Sequence, residues 1–282
     1  MDDKTKAYVA FSHFLGIGPI KFQAIKKTFK SVDQAYTSDL TKLSKVIGLN
    51  LASQFIDFRK DFNIKDLTKK FKDKNIKVIH QEDKLFPKNL LNIADPPICI
   101  YVKGDYENFE FDDRFVSVVG TRMPTSYGQR VTRDIVYSLV GSGYKIVSGL
   151  ALGIDAIAHN AAIEIGGLTV AFLGCGVDVV YPYSNSRLYE LILKTKGLII
   201  SELEGKFLPI NWTYARRNRI VAGLSKAILV VEAGLNSGSL ITAKYAKKYG
   251  RKIFAVPGQI TSDVSKGTIK LIKEGAEVAT EA

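Results

Sequence analysis

The sequence predicts an α/β protein in which a mostly parallel sheet carries helices on both faces and is preceded by a small all-helical domain. Three observations carry this reading. From about residue 66 short β-branched runs alternate with stretches of helical length, residues 1–65 hold helical patterning only, and several of the strand-like runs end in Gly or Ser. A chain of 282 residues with 46% apolar composition has the material for a core of that kind.

Residues 1–65 read as short helices joined by the turns "GIGP" and "GLN", with apolar residues recurring at about 3.6 positions in "KFQAIKKTF" and "LASQFIDFRK". The "LGIGP" turn fits two descriptions. It resembles a helix-hairpin-helix loop, whose glycines let backbone amides approach a phosphate, and it equally fits a plain turn between helices. The strand-like runs of the second domain, residues 66–282, are "IKVIH", "ICIYVKG", "FVSVVG", "YKIVSG", "LTVAFLG", "GLIIS", "AILVVEA" and "KIFAVPG". Between them, 126–141, 153–166, 184–196 and 239–250 have helical length and period, which predicts crossover helices and hence parallel strands buried on both sides.

In such a sheet ligands bind beyond the carboxyl ends of the strands, and the residues just past those ends suit an anion here. Thr121 and Arg122 come after "FVSVVG", "GLALGID" after "YKIVS", and "GLNSGSLIT" after "AILVVEA". Glycines there permit close backbone approach while the next helices aim their N-terminal amides at the same rim. The hydroxyls of Ser237, Ser239 and Thr242 fit a helix cap as well as a phosphate. Neither G-x-G-x-x-G with a following acid nor GxxxxGK[ST] occurs, so no dinucleotide or P-loop nucleotide is indicated.

The segment "NWTYARRNRI" adds aromatic and guanidinium groups on a helix expected over 213–223. Successive helical residues point about 100° apart, so Arg216 and Arg219 share one side while Arg217 points elsewhere, with Tyr214 and Asn218 nearby. Guanidinium groups grip phosphate and aromatic faces stack on unpaired bases. The competing structural reading pairs an arginine with Glu202 or Glu232 and puts the aromatics in the core.

Forty Lys and Arg against 28 Asp and Glu leave a formal charge of +12, which points to a polyanionic partner, nucleic acid ahead of an anionic membrane. A Lys-rich composition with scattered charges would give the same total. The N-terminus "MDDKTKAYVAFSHF" has neither a signal peptide nor a spanning segment, so a cytoplasmic location is expected. Cys99 and Cys175 stand alone in apolar contexts and His13, His80 and His159 are dispersed, so neither a redox centre nor a metal site is expected.

Eight ordered motifs between about 85 and 276 resemble one family: "FPKNLLNIADPPICIYVKG", "VVGTR", "IVSGLALGIDAIAH", "TVAFLGCGVDVVYP", "RRNRIVAGLS", "VVEAGLNSGSLITA", "GRKIFAVPG" and "KGTIKLIKEGA". Each is moderately specific, and their joint order is similar to that of the DNA-processing protein A (DprA/Smf) proteins of bacterial transformation. The resemblance implies an extended Rossmann-like domain after a sterile-alpha-motif-like helical domain. It implies a non-enzymatic homodimer without cofactor that binds and protects incoming single-stranded DNA and loads the RecA recombinase onto it for homologous recombination. The DNA-binding residues it implies are Gly120, Thr121, Arg122, Ser148, Gly149, Arg217, Asn218, Arg219, Ser237, Gly238, Ser239 and Thr242, with Tyr214 stacking on a base. Ile269 stands where the family commonly has Asn, which puts a polar contact there in question. The winged helix that some members carry at the C-terminus is expected to be absent, since the chain stops at Ala282.

The rival class is a Rossmann-like nucleotide enzyme of the phosphoribohydrolase kind, or a nucleotide sensor using the same rim. Those hydrolases use "PGGxGTxxE", and the nearest counterpart, "EAGLNSGSLITA", lacks the acid. Asp155, Asp178, Glu202 and Glu232 remain by type; Asp155 reads first as an N-terminal helix carboxylate favoured by the dipole with His159 its neighbour at i+4, and a catalytic Asp/His pair is the alternative.

Overall fold

The computed structural model describes residues 1–205 and 207–281. Six helices come first: α1 (Asp3–His13), α2 (Pro19–Thr28), α3 (Val32–Thr37), α4 (Leu40–Ile47), α5 (Leu49–Asp61) and α6 (Ile64–Asp73). Short polar side chains cap four of them and glycines precede the other two. The side chains of Asp2, Ser31, Asp39 and Asn63 accept the amides of Thr5, Gln34, Lys42 and Asp66, and Pro19 opens α2 where a missing N–H costs nothing. The core of α1–α5 is aromatic, with Phe11 stacked on Phe55 at 4.6 Å and Phe22 against both Tyr8 and Phe11. The "LGIGP" turn joins α1 to α2, and Gly16 is packed so tightly on Phe14 and Leu51 that a Cβ would come within 2.7 Å of Leu51 Cδ1. Helical structure runs past residue 65, because α6 lays Phe71 against Tyr101 of the sheet, 5.4 Å between rings.

The remaining chain alternates strands and helices: β1 (Lys77–His80), α7 (Lys88–Leu91), β2 (Cys99–Lys103), β3 (Phe115–Val119), α8 (Ser126–Gly141), β4 (Lys145–Ser148), α9 (Ile154–Glu164), β5 (Thr169–Leu173), α10 (Ser186–Lys194), β6 (Leu198–Ser201), α11 (Asn211–Leu224), β7 (Ala227–Val230), α12 (Gly238–Lys248), β8 (Lys252–Ala255), α13 (Lys266–Lys273) and β9 (Glu277–Val278). All eight runs read as strands form strands. Their order is β1-β2-β6-β5-β4-β3-β7-β8-β9, with the β1–β2 and β2–β6 pairs antiparallel and every other pair parallel. The doubly covered, mostly parallel sheet is therefore present as expected.

Burial on both faces explains why the strands read as continuous apolar runs. In β3, Val116 and Val118 face α8 and α9, whereas Phe115 and Val119 face α11. Ser117 shares that second face because its hydroxyl donates to the Val221 carbonyl at 2.9 Å. Strand order reverses at β3: β4, β5 and β6 extend to one side and β7, β8 and β9 to the other. At such a switch point the loops leave toward opposite faces and a crevice opens at the carboxyl ends.

Phe172 of β5 is fully buried in the cluster beneath α11. Phe172→Ala is expected to cost about 3–5 kcal/mol, read as a lowered urea midpoint with unchanged slope.

Candidate functional site

The crevice at the switch point holds a cavity of about 900 Å³, bounded by the loops after β3, β4 and β7 and by the starts of α11 and α12. Backbone bonds fix the loop after β3 at both ends. The Thr121 amide donates to the Glu232 carbonyl at 2.7 Å, and the Thr121 carbonyl accepts from Ile154 N at 3.1 Å. The Glu232 side chain reaches beneath the start of α8, where it accepts the Thr125 amide at 2.9 Å and the Thr125 hydroxyl. Gly153, at φ 74°, lies so near this loop that a Cβ would be 2.4 Å from the Thr121 carbonyl. Three separate connections are thereby held as one rim.

Arg217 forms the floor. It is 8% exposed, its Nη1 donates to the Phe172 carbonyl at 2.6 Å, and its Nε donates to Asn218 Oδ1 at 3.1 Å. Among the described residues Nη2 makes no hydrogen bond. Burial pulls the Arg217 pKa below its ordinary value, and the nearby Asp155 carboxylate opposes this. Gly149 is the reason the guanidinium fits, since a Cβ there would sit 1.6 Å from Nη1. Asp155, at the first turn of α9, accepts the Gly149 amide at 3.0 Å and so holds that glycine in place. Burial raises the Asp155 carboxyl, and the Arg217 charge pulls it back down.

Above the floor stands Tyr214, whose ring lies 5.6 Å from the Arg122 guanidinium carbon and 6.2 Å from the Tyr181 ring. Burial raises its hydroxyl to about 12, so the phenol is neutral at physiological pH. Gly174 lets the ring down, because a Cβ there would meet Tyr214 Cδ1 at 2.9 Å. Opposite, Ser237 caps α12 and its hydroxyl lies 2.8 Å from that of Ser239, while Asn218 Nδ2 donates to the Gly238 carbonyl at 3.1 Å. Gly120, Thr121, Arg122, Gly149, Tyr214, Arg217, Asn218, Ser237, Gly238, Ser239 and Thr242 thus converge on one cavity.

Two residues expected there lie elsewhere, and this corrects their assignment. Arg219 is 3% exposed, and its guanidinium bonds Glu202 and the Asp95 carbonyl. Arg216 joins the same carboxylate at 2.8 Å, so the side of α11 shared by Arg216 and Arg219 is an internal ion cluster. Ser148 is fully buried and its hydroxyl donates to the Val118 carbonyl at 2.7 Å. Its place in the strand alternation turns it into the sheet. Trp212 also lies off the cavity, with its ring 6.1 Å from Phe207.

The chain matches the family described as DNA recombination-mediator protein A over residues 77–282. It belongs to that family. Protein Smf of Synechocystis is 38% identical over 99% of this chain and 71% of its own length. The X-ray structure of DNA processing protein A from Streptococcus pneumoniae superposes with a TM-score of 0.86 at 31% identity, covering 100% of this chain and 95% of that one. DNA processing protein A from Helicobacter pylori, whose structure is described for its single-stranded DNA binding mode, superposes with a TM-score of 0.64 at 32% identity over 73% of this chain and 91% of that one.

In this member of the DNA recombination-mediator family the candidate acids are all engaged structurally. Glu202 holds two arginines, Asp178 holds Lys74 and Lys103, Glu232 holds Thr125, and Asp155 holds the Gly149 amide. His159 does not pair with Asp155. Its Nδ1 lies 2.6 Å from the Thr169 hydroxyl, which itself donates to the Ile146 carbonyl, so His159 donates to Thr169 from Nδ1–H. Among the described residues no cluster of His, Cys, Asp and Glu could hold a metal, and no helix is long and apolar enough to cross a membrane. Sequence reasoning missed Tyr181 and Lys266 as neighbours of the site, and it placed the segment holding Asn236 at the rim without singling that residue out. Asn236 and Lys266 line the cavity, and only the fold brings Lys266 to it.

Gly149→Ala is expected to expel the Arg217 guanidinium and cost about 1–3 kcal/mol in urea denaturation. Adding Arg217→Ala should recover part of that loss, a positive coupling that a double-mutant cycle reads directly. Burial and the Arg217 charge push His159 down to about 3, from 6.5 when exposed. The unfolded chain therefore binds the extra proton between those values, and stability falls as pH drops from 6.5 toward 3, by up to about 1.4 kcal/mol per pH unit. His159→Asn should flatten that slope in denaturation midpoints measured from about pH 7 to about pH 4.

Proposed function

We propose that the cavity grips the backbone of single-stranded DNA and that the protein, as a cytoplasmic homodimer, hands the strand to RecA during transformation. One observation carries the binding step. Arg217 is a charged, nearly buried guanidinium whose Nη2 is unpartnered among the described residues, on the floor of a cavity ringed by helix starts and serines. A phosphate there completes its hydrogen bonding in a site where low dielectric strengthens the attraction. Arg122 adds a second cation at the cavity wall, and Tyr214 offers a ring to an unpaired base. The family's description as a recombination mediator and the single-stranded DNA binding of the Helicobacter relative support the same reading. Each of the four candidate acids already holds a structural partner, which favours strand binding over the hydrolase reading.

The test is fluorescence anisotropy of a labelled oligo-dT strand across salt concentrations. Affinity should fall with a log-log slope of about 0.7 per phosphate held, and duplex should bind more weakly than single strand. Arg122→Ala should lower the slope by about one phosphate, Arg217→Ala should weaken binding, and Arg219→Ala should lower stability while leaving the slope intact. A parent protein that fails to bind, or binds without salt dependence, overturns the reading. Stimulated RecA filament formation on the bound strand would then test the handover.

A further inference from the structure

Resting on that reading, we infer that Tyr181 and Tyr183 form a base-stacking platform for the nucleotides that leave the cavity beside Tyr214. The segment between β5 and α10 carries two tyrosines unusually open to solvent, Tyr181 at 49% and Tyr183 at 82% exposure. Among the described residues neither hydroxyl makes a hydrogen bond, and the one aromatic neighbour of either ring is Tyr214, 6.2 Å from Tyr181 at a tilt of 46°.

The platform is fixed relative to the phosphate site. Asn185, itself buried, donates from Nδ2 to the carbonyls of Leu150 at 2.9 Å and Ala151 at 3.2 Å, in the loop that holds Gly149 over Arg217. At the other end the Val179 carbonyl accepts from Cys175 Sγ at 3.3 Å and the Val179 amide donates to Gly176. Swinging the segment away would break the Asn185 bonds to that loop. A tyrosine has only two side-chain torsions to order, so rings carried on an anchored backbone cost little further entropy when a planar group covers them, and the planar group that a sugar joins to a phosphate is a nucleobase. Arg122, Tyr214 and Tyr181 succeed one another at 5.6 and 6.2 Å, and the exposed Tyr183 follows two residues after Tyr181, a cation and rings in the composition of a sequence-tolerant single-strand track.

The experiment compares the full-length parent with Tyr181→Ala, Tyr183→Ala and the two Phe variants, against oligo-dT and an abasic oligonucleotide of equal length. The Ala variants should bind oligo-dT roughly 5- to 100-fold more weakly, from the usual worth of one stacked base. The Phe variants should bind as the parent does, and the abasic strand should not distinguish any of them. With 2-aminopurine placed along the strand, the parent should quench fluorescence at one or two positions and Tyr183→Ala should restore it. Unchanged oligo-dT affinity in both Ala variants overturns the platform while leaving the phosphate site standing. An equal loss on the abasic strand also overturns it, because the tyrosines would then act through the backbone. A parent that binds neither strand takes the proposed function and this inference down together. Both side chains are exposed, so matched thermal midpoints are expected and separate a binding effect from misfolding.

Discussion

The site depends on one buried contact, the Arg217 guanidinium seated against the bare Cα of Gly149. A charge at that depth is costly unless its donors are satisfied, and the protein satisfies two of them with the Phe172 carbonyl and the Asn218 amide oxygen. Everything around the contact keeps it open. Asp155 pins the Gly149 amide, Gly153 allows the neighbouring loop to pass, and Glu232 ties the loop after β3 to the start of α8. The rim is therefore rigid before any ligand arrives, which lowers the ordering cost of binding.

The three arginines of α11 illustrate how one helix divides its charges. Residues at i and i+3 project to neighbouring directions, so Arg216 and Arg219 share the Glu202 carboxylate, while Arg217 lies about 100° away and faces the crevice. Glu202 is buried, and its arginines hold it well ionised against the desolvation that opposes them. That cluster anchors the helix to the loop after β6. The anchoring fixes the helix rotation, and the rotation places Arg217 and Tyr214 in the cavity.

Much of this was legible in the chain. Alternating β-branched and helical runs announced the doubly covered sheet, and each run became a strand. Gly and Ser at the strand ends announced the rim, because in a parallel sheet those ends share one side. The boundaries of α8 agree at both ends with the segment 126–141. Helical structure past residue 65 was not legible, since α6 owes its place to Phe71 meeting Tyr101 across the sheet edge. Ser148 and Arg219 looked equivalent to their neighbours in the motifs, yet one turns into the sheet and the other into an ion cluster.

What the sequence by itself determined is the set of groups that could meet at the carboxyl ends of the strands, because local periodicity dictates strands, crossovers and therefore a common rim. Only the tertiary structure decided which members of that set face the cavity. That choice rests on the phase of α11 and the pleat of β4, which contacts between residues far apart in the chain fix, such as Arg219 with Asp95 and Arg217 with Phe172. No local pattern encodes them.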